Sequence, residues 1–195
     1  MDVTRQGGDV NMQAVAAMLS VDVTTLYRHL NSQVELSRMV AELAAPSPDS
    51  LPDPAGKTAR EWLRELAWFY WRLMRSHSTL IEHSQSAIDP KYEILEYVVG
   101  VLRKFGFSPR SAAFCYNQLI NSLVGFIYLQ IQDEEERSRG GGRFMDYQRC
   151  LATFAREEIP NIVSCDLTVE DFDPEAAFEV FLNITLDGII AQMGK

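Results

Sequence analysis

The sequence predicts an all-α protein with a small helical domain over residues 1–45 and a larger helical domain over residues 46–195. Three observations carry this. No alternating apolar–polar run of useful length occurs, and no Asn-Gly or Asp-Gly turn joins two such runs, so strand signals are missing. Apolar residues recur instead at helical spacing along most of the chain. Between the two halves lies PSPDSLPDPAG, residues 46–56, whose four prolines mark a boundary. With 47% hydrophobic residues among 195, the chain has enough apolar surface to bury a core.

The elements follow in order. Short helices are expected at 12–19, 23–30 and 33–44. In the first, Met12, Val15, Ala16 and Leu19 make one apolar stripe. Asp22 is placed to cap the second, which turns Leu26 and Leu30 inward. Ser32 with Glu35 has capping-box spacing for the third, which carries Leu36, Met39, Val40 and Leu43. Longer helices are expected at 57–76, 90–105, 109–132, 144–157 and 174–193, with a turn of helix near 78–85. Asp89-Pro90, Ser108-Pro109 and Asp173-Pro174 each put a capping side chain before a proline at the first helical position. Gly106 stops the helix that starts near Pro90. The charged stretch DEEERSRGGGR at 133–143 reads as a solvated loop.

Charge and composition exclude several functions. The 18 basic and 27 acidic side chains give a net −9, so no basic field covers the whole molecule. Residues 1–45 carry three basic and five acidic side chains and are themselves negative. The most apolar stretch, Leu119 to Ile131, is interrupted by Asn121, Ser122 and Gln130, which argues against a membrane span. MDVTRQGGDV has no apolar core of a secretory signal, and Cys115, Cys150 and Cys165 fit neither a disulfide framework nor a zinc site. Both point to the cytoplasm. His29, His77 and His83 form no metal-binding pair. No phosphate-binding glycine loop and no nucleophile elbow occurs. A catalytic role, a metal and a cofactor are therefore not expected.

Two short helices joined by a tight turn at Ser20–Val21, with Ala16 allowing close approach, describe a helix-turn-helix. The second helix exposes Thr24, Thr25, Tyr27, Arg28 and His29, hydrogen-bonding groups suited to a DNA groove. The string VAAMLSVDVTTLYRHLNSQVEL resembles the DNA-binding signature of the TetR family of bacterial regulators. Val15, Ala16, Ala17, Leu19, Val21, Leu26, Tyr27, His29, Ser32, Glu35 and Leu36 stand at matching positions. The segment from Trp62 through RSHSTL resembles the same family's ligand-binding domain. The resemblance implies a dimeric, all-helical, ligand-responsive transcriptional regulator, most often a repressor. It places Asn11, Gln13, Thr24, Thr25, Tyr27, Arg28, His29 and Gln33 at the DNA.

Three departures weaken the expected DNA binding. The family's first helix has no counterpart in MDVTRQGGDV, as if the true start lay upstream or the module were shortened. Gln13 and Gln33 are neutral where the family commonly carries basic residues that face phosphate. Ser20 replaces the usual turn glycine, which adopts positive φ without steric cost. A second reading therefore stands beside the first: a small-molecule-binding helical dimer that has lost robust DNA binding.

The helices at 109–132 and 174–193 are apolar on two sides and carry Gly125 and Gly188 inside them. In the family, two such helices from each subunit make the dimer interface. Leu186 is read here with Val180, Ile184 and Ile190 on the second apolar side. Trp71, His83, Tyr92, Tyr97, Phe114, Asn117, Gln118 and Asn121 are candidate ligand-binding residues, because pockets combine apolar walls with a few polar groups. Asn117 and Asn121 share one face of a mostly apolar helix. The expected effector is apolar or aromatic.

Overall fold

The computed structural model describes residues 12–32, 35, 36, 39, 46–76 and 92–194. Among these, all regular structure is helical. The expected turn near 78–85, the Asp89-Pro90 start and most of the 33–44 helix lie outside the described residues, although Glu35, Leu36 and Met39 are helical.

The N-terminal unit has α1 (Met12–Leu19) and α2 (Val23–Tyr27). Its core is small: Met12, Ala16, Leu26 and Leu36 are buried, with Val15, Val23 and Leu30 packed against them. The turn is a Schellman closure. The N–H of Val21 reaches the carbonyl of Ala16 at 3.0 Å, and that of Ser20 reaches Ala17 at 3.2 Å. This geometry puts Ser20 at φ 53°, the region that favours glycine. Asp22 then caps α2, accepting from the Thr24 N–H at 2.8 Å and the Thr24 hydroxyl at 2.6 Å. The helix ends at Tyr27 rather than at residue 30, and His29 and Leu30 close a final turn onto Leu26. The cap expected at Ser32 is offset by one residue. The Ser32 hydroxyl accepts from the Glu35 N–H at 3.2 Å, but the Glu35 carboxylate reaches back to the Asn31 N–H at 2.7 Å.

The larger unit holds α3 (Ala59–Ser76), α4 (Tyr92–Lys104), α5 (Pro109–Ser138), α6 (Arg143–Thr153), α7 (Pro160–Ser164) and α8 (Pro174–Ile190). Much of the proline-rich linker is built into this unit. Leu51 is buried in its core, and the Trp62 indole donates to the Pro52 carbonyl at 2.8 Å. Helix α3 starts on a Thr58–Glu61 capping box, the Thr58 N–H donating to the Glu61 carboxylate at 2.8 Å. Its wide apolar stripe buries Trp62, Leu66, Ala67 and Trp71 and packs against α5 and α8. Arg60 pairs with Asp187, and Arg64 with Glu179, tying α3 to α8 along its edge. Helix α4 buries Ile94, Val98 and Leu102, and Gly106 at φ 101° ends it as expected. Ser108 caps α5 and Asp173 caps α8 through the side-chain bonds their positions before proline predicted.

The expected loop at 133–143 is corrected. Helix α5 continues to Ser138, and only residues 139–142 turn. One charge there is buried, while Glu135, Glu136 and Arg139 stay exposed. Buried Asp133 pairs with Arg137 one turn on at 2.7 Å and accepts the Arg143 N–H at 2.6 Å, which fixes the start of α6. Gly142 is held at φ 100°, and a Cβ there would meet the Arg137 side chain at 2.7 Å, so the closure admits no larger residue. Helix α6 stops at Thr153, short of 157, where Phe154 turns extended. Helix α5 is long and apolar enough, by length and composition, to cross a membrane. Its apolar residues serve a core instead, since Leu119, Leu123 and Ile127 are fully buried within the subunit.

Candidate functional site

Two surfaces carry the functional expectation. On the N-terminal unit, Gln13, Thr24, Tyr27, Arg28 and His29 are all exposed, while Leu26 turns into the core between them. Thr25 is half-buried. The short helix and the turn that ends it thus present a phenol, a guanidinium and an imidazole outward around a buried anchor. Asn11 and Gln33 lie outside the described residues. The Thr24 hydroxyl is engaged by Asp22. These hydrogen bonds from Thr24 lower the pKa of the Asp22 carboxyl, so α2 begins with a firmly ionised carboxylate. That charge suits a helix N-terminus and opposes a phosphate.

The second surface lies on the larger unit, where α5 and α8 each show two faces. The inner faces meet α3 and α4 in one aromatic core. Trp71 stacks on Phe178 at 4.4 Å between ring centroids, and Phe126 stacks on Phe181 at the same spacing. The outer faces are open and apolar: Phe114 and Val180 are each 62% exposed, Leu129 58% and Ile184 69%. Gly125 and Gly188 have open space where a Cβ would point. A groove of about 640 Å³ runs between the two helices, lined by Arg110, Phe114 and Gln118 on one side and Ile184 and Gly188 on the other. Cys115 lies at its floor, and burial raises the pKa of its thiol.

Residues 51–193 match the family described as Tetracyclin repressor-like, C-terminal domain. The chain belongs to that family, one of transcription regulators. No curated protein sequence matches it. Among solved structures, the fold is similar to apo ActR from Streptomyces coelicolor, with a TM-score of 0.75 at 20% identity over 100% of this chain and 93% of ActR. ActR in complex with actinorhodin matches equally well, at 19% identity over 99% and 93% of the two chains. A possible TetR family transcriptional regulator from Streptomyces coelicolor A3(2) gives 0.73 at 25% identity over 97% and 94%. These likenesses span the N-terminal unit as well as the larger one and place the whole chain in the TetR fold.

In this TetR-type chain the seven described candidate ligand residues do not gather in one place, and only Phe114 and Gln118 share the groove between α5 and α8. Trp71 is in the core and Tyr97 packs half-buried against it. Tyr92 is 76% exposed, and Phe114, Asn117, Gln118 and Asn121 lie on the exposed side of α5. His83 lies outside the described residues. The placing of Asn117 and Asn121 among the ligand-binding residues of an apolar pocket is not supported by their exposure. They share a face of α5, but it is the open one. Leu186 is corrected in the opposite sense, being fully buried within the subunit. Sequence reasoning passed over Gln130, a buried amide that it had counted only as an interruption of an apolar run, and Arg75, which sits over the Trp71 ring at 4.8 Å. A single glutamine among apolar neighbours at helical spacing was the available signal.

Proposed function

We propose that this regulator is a cytoplasmic repressor that binds palindromic operator DNA as a homodimer and is released by an apolar small-molecule effector. It acts by binding alone, with no catalytic step. The observation that carries the reading is the open face of α5 and α8. Four large apolar side chains and two glycines with open space above them share a surface that a second copy would cover. A two-fold pairing sets two α2 helices at a fixed separation, which suits two half-sites of a palindrome. An effector bound within the larger unit shifts the population of that separation only if it binds the two forms unequally. ActR, similar in fold, has been solved with actinorhodin bound, which supports an effector role for the larger unit.

Ile184→Arg tests the pairing without entering the subunit core. Sedimentation at micromolar concentration is expected to give a dimer for the native chain and a folded monomer for the variant. A native monomer there overturns the interface. Thermal shift against a chemically broad library tests the effector, a bound compound raising the melting temperature.

A second reading, a ligand-binding dimer without robust DNA affinity, is favoured by the charge around α2. Arg28 is set against the ionised Asp22, and Gln13 is neutral. Each phosphate contact contributes to the salt dependence of DNA binding, so few contacts predict binding at low salt with a shallow slope. Anisotropy titrations of duplexes selected from a random pool decide between the two readings. Gln13→Arg with Gln33→Lys is expected to strengthen binding and steepen the slope in a working repressor. It is expected to change nothing in a module that no longer reads DNA.

A further inference from the structure

The proline-rich stretch expected to mark a boundary between the units is a strap laid on the larger one. Pro48–Ser50 form a single 3-10 turn, closed by the Ser50 N–H on the Ser47 carbonyl at 3.0 Å and the Leu51 N–H on that of Pro48 at 3.2 Å. This turn packs against α4, and Leu51 after it enters the core at 7% exposure. The carbonyl of Pro52 then accepts from the Trp62 indole at 2.8 Å. Asp53 accepts the Ala55 N–H at 3.0 Å, and Gly56 at φ 72° turns the chain into the Thr58 cap of α3.

Trp62 is the fixed end of this contact. Its side chain is fully buried, with the Phe105 ring 6.0 Å away between centroids. An indole carries one donor and no acceptor, so its N–H has a single use, and here that use is the backbone of the strap. Pro46, Pro48, Pro52 and Pro54 stiffen the stretch further, since each fixes its own φ. The strap is therefore pinned twice, by an apolar side chain in the core and by a hydrogen bond from a buried ring.

Beyond the strap lies the N-terminal unit. Left free, a stretch of this length could reach roughly 36 Å, as far as the ~34 Å between half-sites one turn apart. A free linker would let each N-terminal unit find its half-site over a wide range of spacings. A pinned one releases the chain at Ser47, at one place on the body.

We propose that Trp62 is a positioning residue. Through the Pro52 carbonyl it fixes where the N-terminal unit leaves the body, and so sets the half-site spacing that the dimer accepts. The spacing role rests on the operator reading above, whereas the placement of the unit does not.

Two measurements test it. The first needs neither DNA nor a partner. Nitroxide labels at Gln13→Cys and Lys104→Cys, both exposed positions, are carried by a chain whose Cys150 and Cys165 are serine and whose Cys115 is buried. Dilution with unlabelled chain lets pulsed spin resonance read the distance within one subunit. A narrow distance is expected with the strap intact. Trp62→Phe keeps a ring in the core, loses the donor, and is expected to give a broader distribution. Leu51→Ala loosens the other pin with α3 untouched and is expected to broaden it as well. Leu123→Ala, a core substitution on α5, is expected to leave the width alone, which separates the strap from a general loss of stability. The second measurement titrates a duplex selected from a random pool against the same duplex with its half-sites moved apart. Two added base pairs shift one half-site by about 7 Å and turn it by about 70°. The native chain is expected to lose affinity at least roughly tenfold, because geometry that forbids simultaneous engagement removes the gain of two-site binding, and Trp62→Phe only a few-fold. A broad distance in the native chain, equal widths for it and the two strap variants, or equal broadening by Leu123→Ala overturns the proposal. Broadening in the strap variants with the same loss on the re-spaced duplex overturns the spacing role. Broadening with no duplex selected at all upholds the placement by Trp62, and the failure is then that of the operator reading.

Discussion

The two units close helices by the same backbone device but with different residues. At the end of α1 the Schellman turn places Ser20 at φ 53°, whereas at the end of α5 the same pair of bonds, from Gly141 to Glu136 and from Gly140 to Arg137, places Gly140 at φ 83°. A serine there carries the steric penalty of its Cβ, and a glycine does not. The cores differ in the same direction. Among the described residues, the N-terminal unit buries Met12, Ala16, Leu26 and Leu36, while the larger one surrounds Trp62, Leu119 and Phe178 on all sides. The larger unit is a packed body that leaves an apolar face open on α5 and α8.

The largest expected effect separates the two cores. Phe178→Ala removes a ring that touches Trp68, Trp71, Phe126 and Phe181, and is expected to destabilise the larger unit by about 3–5 kcal/mol. Urea denaturation followed by tryptophan fluorescence reads this directly, because all three tryptophans lie in that unit. Leu26→Ala, by contrast, is expected to leave the tryptophan-reported transition where it was and to abolish DNA binding. A common loss of stability from both variants would show that the two units unfold as one.

What could be read from the sequence follows the range of the interactions. Ser108-Pro109 and Asp173-Pro174 cap their helices through bonds spanning two or three residues, and such bonds are written locally. The stretch at 133–143 is helical to Ser138 rather than a loop, and its decisive contact, the Asp133 carboxylate on the Arg143 N–H, spans ten residues and buries one charge of a run whose others stay exposed. The candidate pocket was misread for a different reason. Helix α5 has two apolar sides, and periodicity says that both exist without saying which one the subunit covers itself. Tyr116 and Leu119 went inward while Phe114 and Leu129 stayed out. Exposure along α2 was easier to read, because the helix is short and its one buried leucine leaves its neighbours little choice of side.

The turn residues give a smaller and paired effect. Ser20→Gly removes a Cβ from a left-handed position and is expected to stabilise the N-terminal unit by about 1 kcal/mol. Gly140→Ala adds one at the matching position of α5, where nothing lies within 4 Å to clash, so the backbone penalty alone is expected to destabilise by about 1 kcal/mol. Hydrogen exchange of the α1 and α2 amides checks the first, and urea denaturation the second. Equal and opposite shifts would show that residue type, and not the surrounding packing, sets the stability of the two closures. A negligible gain from Ser20→Gly would mean that the serine hydroxyl or the α1–α2 contact already offsets the strain.

The smallest effect concerns the charge at the start of α2. The hydrogen bonds from Thr24 lower the folded-state pKa of Asp22, so its contribution to the helix is present above the unfolded carboxyl value and is lost as pH falls through the lower folded one. At neutral pH the carboxylate is therefore fully charged, and it sits five to seven residues before Tyr27, Arg28 and His29, the groups proposed to approach DNA. Asp22→Asn keeps an oxygen for the Thr24 N–H and hydroxyl while removing the charge. The cap should survive, since asparagine and aspartate cap almost equally well. Duplex affinity is expected to rise a few-fold at low salt and by less as salt screens the repulsion over roughly 10 Å at 0.1 M. The acid limb of α2 stability, read by hydrogen exchange between neutral pH and the carboxyl range, is expected to flatten. A rise in affinity that does not fade with salt would assign the gain to a new base contact of the asparagine. No rise at all would mean that Asp22 faces away from the DNA and that α2 docks through Tyr27 and Arg28 alone.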